Sequence, residues 1–395
     1  MSRRRRCVVF APNHADIDSR VVRTAALFAD VFDHVDVYWD ADYPGHRRPP
    51  TPDNVVNHYV TPPSADHGLV AQLRRGRRLV GDLAVKLGKD DLLYIHGSGI
   101  EGLVFAQAAK RSASAVPVVF DYHDSLPFEL SYQLEKRGLG WLYRSAWRAY
   151  RPVLERLGRH LDAVVGISER QIHQLFGFVG RELPYAVVPN LRDFDDAPPR
   201  QVAGASQTPL QLLWVGQVMK GRDLERVATL AKAVTEPWEL HVFGNILDED
   251  ARRAVEALCG GRATFHGPYR GDQGLRRALP DRSIAVFLGW EDRKNTGINE
   301  IASPNKFYSY VNLEVPIIVG DRLKSLAEDV AQHGAGQVVC GPQDFASAVV
   351  TLNNNYGEFS MGARRLKTSY RSIDLPDRLN RLVDSLYRGQ NAAPS

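Results

Sequence analysis

What most restricts this chain is one alternation that runs from end to end. Short runs rich in β-branched residues are each followed by an amphipathic helical stretch. A strand read as a continuous apolar run is buried on both faces, and the intervening helices must cover those faces, so the pattern predicts α/β architecture with parallel sheets. In the first half the expected strands are 7–11, 35–39, 92–96, 116–121, 163–167 and 185–188, bracketing helices near 20–32, 68–87 and 102–112. A second set begins at 211–215 and continues through 239–243, 263–266, 284–288, 317–319 and 336–339.

The stretch between the two sets replaces periodic apolar residues with Pro, Ala, Gly, Ser and Gln, which is linker composition. The expected organisation is therefore a first Rossmann-like domain over 1–195 and a linker at 196–208. A second domain spans 209–370, followed by a C-terminal helix and tail over 371–395, broken at Pro376 and free to pack back on the first domain. Two doubly wound halves facing a central cleft would bind ligands where strands end, because open α/β sheets place sites at the carboxyl ends of their strands.

Composition narrows the function classes. The 395 residues are 44% hydrophobic and 24% charged, which is globular, and Lys+Arg 50 against Asp+Glu 46 leaves +4, too little to argue for a nucleic-acid partner. Cys7, Cys259 and Cys340 are too scattered for a disulfide framework or a zinc site, so a reducing, cytoplasmic setting is expected. The apolar run after Arg3–Arg6 is too short for a spanning helix or a signal segment.

Two stretches carry chemistry. The strand ending Trp214-Val215-Gly216 leads through Lys220, Gly221 and Arg222 into a helix near Asp223; a glycine turn at a helix N-terminus beside two cations suits a phosphate, and equally a solvated basic helix start. The second is Ser303-Pro304-Asn305-Lys306. Pro304 suits a first helical turn capped by Ser303, and Lys306 in that turn opposes the helix dipole, which a bound anion would offset. Asp16 and Asp18 are spaced like a metal pair but sit at a helix edge, where paired acids are usually caps; no metal site is expected.

Read together, these pieces resemble a GT-B-fold glycosyltransferase of the retaining family 4 type. The resemblance rests on Asp18 to Val21, on Phe120 to Asp124 with Glu129, on Val188-Pro189-Asn190, on Gly216 with Lys220 to Glu225, on Phe243-Gly244, on His266-Gly267, and on Ser303 to Lys306, in that order along nearly the whole chain. It implies a UDP- or GDP-sugar substrate, no cofactor, and a carbohydrate or lipid-linked acceptor, in polysaccharide or glycoconjugate biosynthesis. Under it His123, Lys220 and Arg222 are catalytic, with Asp124 or Asp121 orienting His123. Gly216, Lys220, Arg222, Gly244, Ser303, Pro304, Asn305, Lys306 and Ser309 hold the donor, and His14, Asp18 and Arg20 contact the acceptor. Cations aimed at a departing diphosphate would lower the barrier, each such group being worth about 3 kcal/mol.

The pattern departs at Ser309, where the family has a ribose-binding glutamate, and at Ile301, where a second acid often stands; Glu314 replaces a glycine. Losing that carboxylate removes about 1.5–3 kcal/mol of charge-assisted bonding. Either the site is re-specialised, with Glu300 or Glu314 reaching in, or the protein is a weakened transferase with a binding role, or it forms a non-glycosidic bond. Finally, residues 134–161 interleave Trp141, Tyr143, Trp147 and Tyr150 with arginines, which fits either a peripheral contact with an anionic membrane or a buried face with solvated tips; Arg74, Arg75, Arg77 and Arg78 could extend that basic surface.

Overall fold

The computed structural model describes residues 4–11, 19–40, 51–60, 69–97, 99–191, 194, 209–290, 294 and 296–391. The chain divides into two compact units, Met1–Pro189 with Asp374–Ser395, and Asn190–Ile373.

In the first unit the elements run β1 (Arg4–Ala11), α1 (Ser19–Ala29), β2 (Phe32–Asp40), β3 (Val55–Val60), α2 (Leu69–Ala84), β4 (Leu92–Gly97), α3 (Ile100–Ser112), β5 (Val118–Tyr122), α4 (Leu126–Lys136), α5 (Tyr143–Gly158), β6 (Ala163–Gly166), α6 (Glu169–Val179) and β7 (Tyr185–Val187). All strands pair in parallel, in the order β3-β2-β1-β4-β5-β6-β7. One face of the sheet packs under Val80, Leu103, Leu154 and Ile172 from four helices, the other under Val21, Ala25 and Phe28 of α1. Six strands were legible as apolar runs. β3 was not, because it is an edge strand of mixed polarity, VVNHYV, only its first residue fully buried.

The second unit runs β8 (Leu210–Val215), α7 (Leu224–Ala231), β9 (Trp238–Phe243), α8 (Glu249–Cys259), β10 (Ala263–Gly267), α9 (Gly271–Ala278), β11 (Ile284–Phe287), α10 (Ile298–Ile301), α11 (Asn305–Leu313), β12 (Ile317–Gly320), α12 (Lys324–His333), β13 (Gly336–Val339), α13 (Pro342–Asn354) and α14 (Tyr356–Arg371). Its parallel sheet is ordered β10-β9-β8-β11-β12-β13. In both sheets the order reverses between the first strand and a later one, at β1/β4 and at β8/β11. Those are the switch points where loops diverge and leave room for a ligand.

Two boundaries differ from the sequence expectation. The change of unit falls after Pro189, because Asn190 and Phe194 are already tied to unit 2: the Asn190 amide donates to the Ser303 carbonyl (2.9 Å) and Arg371 donates to the Phe194 carbonyl (2.8 Å). The segment 196–208 lies outside the described residues. The C-terminal break precedes Pro376, which sits in the first turn of α15 (Leu375–Asn391), where its missing N–H is harmless. From α15, Leu379, Leu382, Val383 and Leu386 join the unit 1 core beside α1, and Arg378 donates to the Val187 carbonyl. Among the described residues, no helix is long and apolar enough to cross a membrane.

Candidate functional site

At the unit 2 switch point, the ends of β8 and β9 approach with no side chain between them. Gly216 donates its N–H to the Phe243 carbonyl at 2.9 Å, and a Cβ on Gly244 would stand 1.8 Å from the Gly216 oxygen. Both glycines hold positive φ, 151° and 143°, so the loops leaving these strands can only be built with glycine. After β8 the chain turns through Lys220, Gly221 and Arg222 into α7.

Asp223, at the head of α7, is buried and does not cap its own helix. Its carboxylate accepts instead from Trp214 Nε1 on β8 (2.9 Å), from the Leu288 N–H after β11 (2.8 Å) and from Lys306 Nζ on α11 (2.9 Å). One side chain thus ties three elements together beneath the loop. A cavity of about 550 Å³ opens above, lined by Lys220, Arg222, Asp223, Arg226, Trp290 and Arg322 among others. These residues follow β8, β11 and β12, neighbours in the sheet, and the Arg222 guanidinium lies 5.9 Å from the Trp290 ring centre. Trp290 is itself fixed by Asn299, which accepts from its N–H (2.7 Å) and donates to its carbonyl (3.0 Å).

The structure brings Lys220 and Arg222 to this cavity, while Gly216 and Gly244 meet each other at the ends of β8 and β9. It corrects the reading of the Ser303–Ser309 stretch. Ser303 does not cap α11: Pro304 takes that position, and the buried Ser303 hydroxyl meets the Tyr308 hydroxyl at 2.5 Å. Lys306 needs no bound anion to offset its place in the first turn. Its ammonium is paired with Asp223 and lies over the Trp214 and Phe287 rings at 4.6 and 4.3 Å; burial pushes its pKa down, against the pull of Asp223. Ser309 is fully buried, its hydroxyl turned toward the Asn305 carbonyl one helical turn back, so it does not present itself to a ribose. Glu314 does not reach in either, since it pairs with Arg364 and Lys367. Asn305, by contrast, is exposed at the head of α11.

Sequence reasoning missed Asp223 as an anchor, and Arg226, Trp290 and Arg322 as lining. The available signal was positional: each follows the end of a strand adjacent to the switch point, which becomes visible only with the strand order in hand.

Unit 1 gathers a second cluster at its own switch point. His96 on β4 and Asp121 on β5 face each other in register, with His96 Nδ1 donating to Asp121 Oδ2 at 2.8 Å. Arg20 of α1 meets the same carboxylate through Nε (3.0 Å) and Nη2 (2.5 Å), and donates to the Val188 carbonyl at 2.8 Å. This overturns the expectation of Arg20 as an acceptor contact: it is a buried structural counter-ion. Burial by itself would raise the Asp121 pKa, but the Arg20 charge and then His96 and His123 outweigh it and hold the carboxyl well below the ordinary range.

His123 follows β5, mostly buried, with its ring stacked on His96 at 4.2 Å and 13°. Its Nδ1 is directed at the Asp121 backbone oxygen (3.3 Å) and its Nε2 lies 3.8 Å from Asp124. The Asp121 carboxylate therefore orients His96 rather than His123. His96, Asp121 and His123 form a trio of metal-ligand type within 4.8 Å. Stacked parallel rings cannot both aim a nitrogen lone pair at one ion, and the Arg20 guanidinium already occupies the carboxylate, so the trio fits a hydrogen-bonded network better than a metal. His14, Asp16 and Asp18 lie outside the described residues.

Residues 17–191 match the glycosyl transferase 4-like domain family. No curated protein sequence matches the chain. Among solved structures, the lipopolysaccharide outer core galactosyltransferase WaaB in its apo form superposes with a TM-score of 0.62 at 12% identity, over 96% of this chain and 99% of that one. The Anabaena HepE protein in complex with UDP and glucose gives 0.62 at 13%, over 97% and 99%. The α,α-trehalose 6-phosphate synthase of Burkholderia multivorans gives 0.65 at 13%, over 99% of both. The chain has the GT-B fold, and its residues 17–191 are similar to the glycosyl transferase 4-like domain. In GT-B terms the cation-lined cavity belongs to the C-terminal Rossmann-like unit and the stacked histidines to the N-terminal one.

Proposed function

We propose that this GT-B protein transfers a sugar, with retention and without a metal, from a UDP- or GDP-sugar to a carbohydrate or lipid-linked acceptor in glycoconjugate or polysaccharide synthesis. The observation that carries the reading is the concentration of Lys220, Arg222, Arg226 and Arg322 around a cavity at the unit 2 switch point, beside the N-terminus of α7. Cleaving a sugar from a diphosphate leaves new negative charge on the departing group. Fixed cations and unsatisfied helix N–H groups stabilise that charge without reorganising, which is where such sites gain most of their rate. Structures superposing on the chain include one with UDP and glucose and an E. coli one bound with UDP-2-fluoro glucose, which supports a nucleotide-sugar donor.

In this reading Lys220 and Arg222 neutralise the diphosphate, the Gly216–Gly244 contact lets backbone approach the donor, and Asn305 adds a side-chain contact from α11. Lys306 acts indirectly by holding Asp223. His123, stacked and restricted in rotation, is suited to hydrogen-bond a sugar hydroxyl. A second reading, a binding protein with weakened catalysis, is favoured by the buried Ser309 and by Ile301, which leave α11 and its approach without the expected acids.

Thermal shift with UDP, GDP and their sugars, followed by product analysis, separates the readings. A ligand held only by the folded state at about a hundred times its Kd adds roughly 2.7 kcal/mol of stability. A melting shift with turnover supports transfer; a shift without product supports the binding role; no shift with any nucleotide discards both.

A further inference from the structure

The segment 134–161 remains outside the site just described, and the structure sorts its residues into two faces. Trp147 and Tyr150 of α5 turn inward, Trp147 meeting the edge of Phe178 on α6 at 5.0 Å, and Leu154 and Leu157 complete the buried stripe. Trp147 and Tyr150 therefore do not share one face with the arginines. Arg144, Arg148, Arg156 and Arg159 are exposed on the opposite side, and none of them forms an ion pair with another described residue. Trp141, in the short turn Gly140–Leu142 leading into α5, is 77% exposed, more than any other large apolar side chain among the described residues, with Leu139 also exposed beside it.

We infer that this outer face of α5, led by Trp141, docks the protein on an anionic lipid surface. An exposed indole is poorly hydrated yet keeps a polar N–H, and its lowest free energy lies at the headgroup level of a bilayer. Unpaired arginines along the same helix supply the long-range attraction to a negatively charged leaflet and find phosphate partners on arrival. A soluble polyanion would use the arginines but leave Trp141 without an apolar environment, so the lipid surface accounts for both halves of the face. The placement serves an acceptor held in that surface. α4 leaves the carboxyl end of β5, directly after His123, and Trp141 lies between α4 and α5 in the chain segment that joins β5 to β6. The surface is separate from the donor cavity and stands whether or not the donor reading does.

The test uses the full-length protein in flotation with vesicles of phosphatidylcholine alone and with roughly 30% phosphatidylglycerol. Binding is expected to the anionic vesicles only and to weaken as salt rises, screening falling to a Debye length of about 10 Å at 0.1 M. Arg144→Ala with Arg148→Ala should lower the partition coefficient roughly fivefold per arginine, and Trp141→Ala should lower it several-fold at unchanged salt dependence. All three side chains are exposed, so melting temperatures should match wild type. Absence of binding, equal binding to neutral vesicles, or full binding by Trp141→Ala would overturn the proposal. The last outcome, with loss in the arginine variant, would indicate a soluble polyanion instead.

Discussion

Asp223 and Asp121 are buried carboxylates that do different work from the exposed cations near them. Asp223 is the acceptor for Lys306, Trp214 and Leu288, so removing the lysine leaves a buried charge unmatched. Lys306→Ala should therefore cost about 3–5 kcal/mol of stability, read as a lowered melting temperature. Arg222→Ala should leave the melting temperature near wild type and lower kcat with the preferred donor by about 100-fold or more. If Lys306→Ala proved as stable as wild type, the internal pairing would not be its role. Asp121 gives a pH signature. Its folded pKa is depressed, so its contribution is present above the unfolded value near about 3.9 and disappears as pH falls through the folded value. Asp121→Asn, which strands Arg20, should be destabilised by about 3–5 kcal/mol at neutral pH. The gap from wild type should hold constant down to about pH 5 and narrow below about pH 4 in acid melts. A gap unchanged at low pH would refute the assignment.

Among the elements, the loops after β8 and β9 and the start of α11 were read from sequence with unequal success. Gly216 was legible as the glycine turn after a strand and Gly244 through the family resemblance, and their φ values show why only glycine serves there. Gly244→Ala places a carbon against the Gly216 carbonyl and should destabilise by about 1–3 kcal/mol or more, and should weaken nucleotide thermal shifts beyond that loss. The strands with continuous apolar runs were equally plain, whereas β3 escaped because an edge strand buries too little to need them. The environment of α11 was hidden. Ser303, Lys306 and Ser309 occupy the spacing of a ligand-binding helix start, yet each side chain turns to a partner inside the protein: Tyr308, Asp223 and the Asn305 carbonyl. Helical spacing fixes which residues share a face, not which face the fold covers.

For the molecule as a whole, the two units each repeat a doubly wound plan with chemistry collected at the strand-order reversal. The last helix belongs to the first unit. Deleting residues 374–395 would uncover Leu379's contacts and those of three neighbouring apolar residues on the α1 side, each worth about 1.5–3 kcal/mol when buried. The expected result is a large loss of unit 1 stability, seen as a separate low-temperature transition, with nucleotide-dependent stabilisation of unit 2 retained. A single unchanged transition would show that α15 adds little.

The sequence alone determined the alternation of strands and helices, the two sheets, the glycine turn after β8, and the cations that follow that strand's end, because these are set by local sterics and periodic burial. Only the tertiary structure decided which charges remain available. Arg20 and Asp121 are 101 residues apart and Lys306 and Asp223 are 83 apart. The strength of a buried ion pair depends on that long-range meeting and on the water it excludes, neither of which a residue's neighbours along the chain reveal.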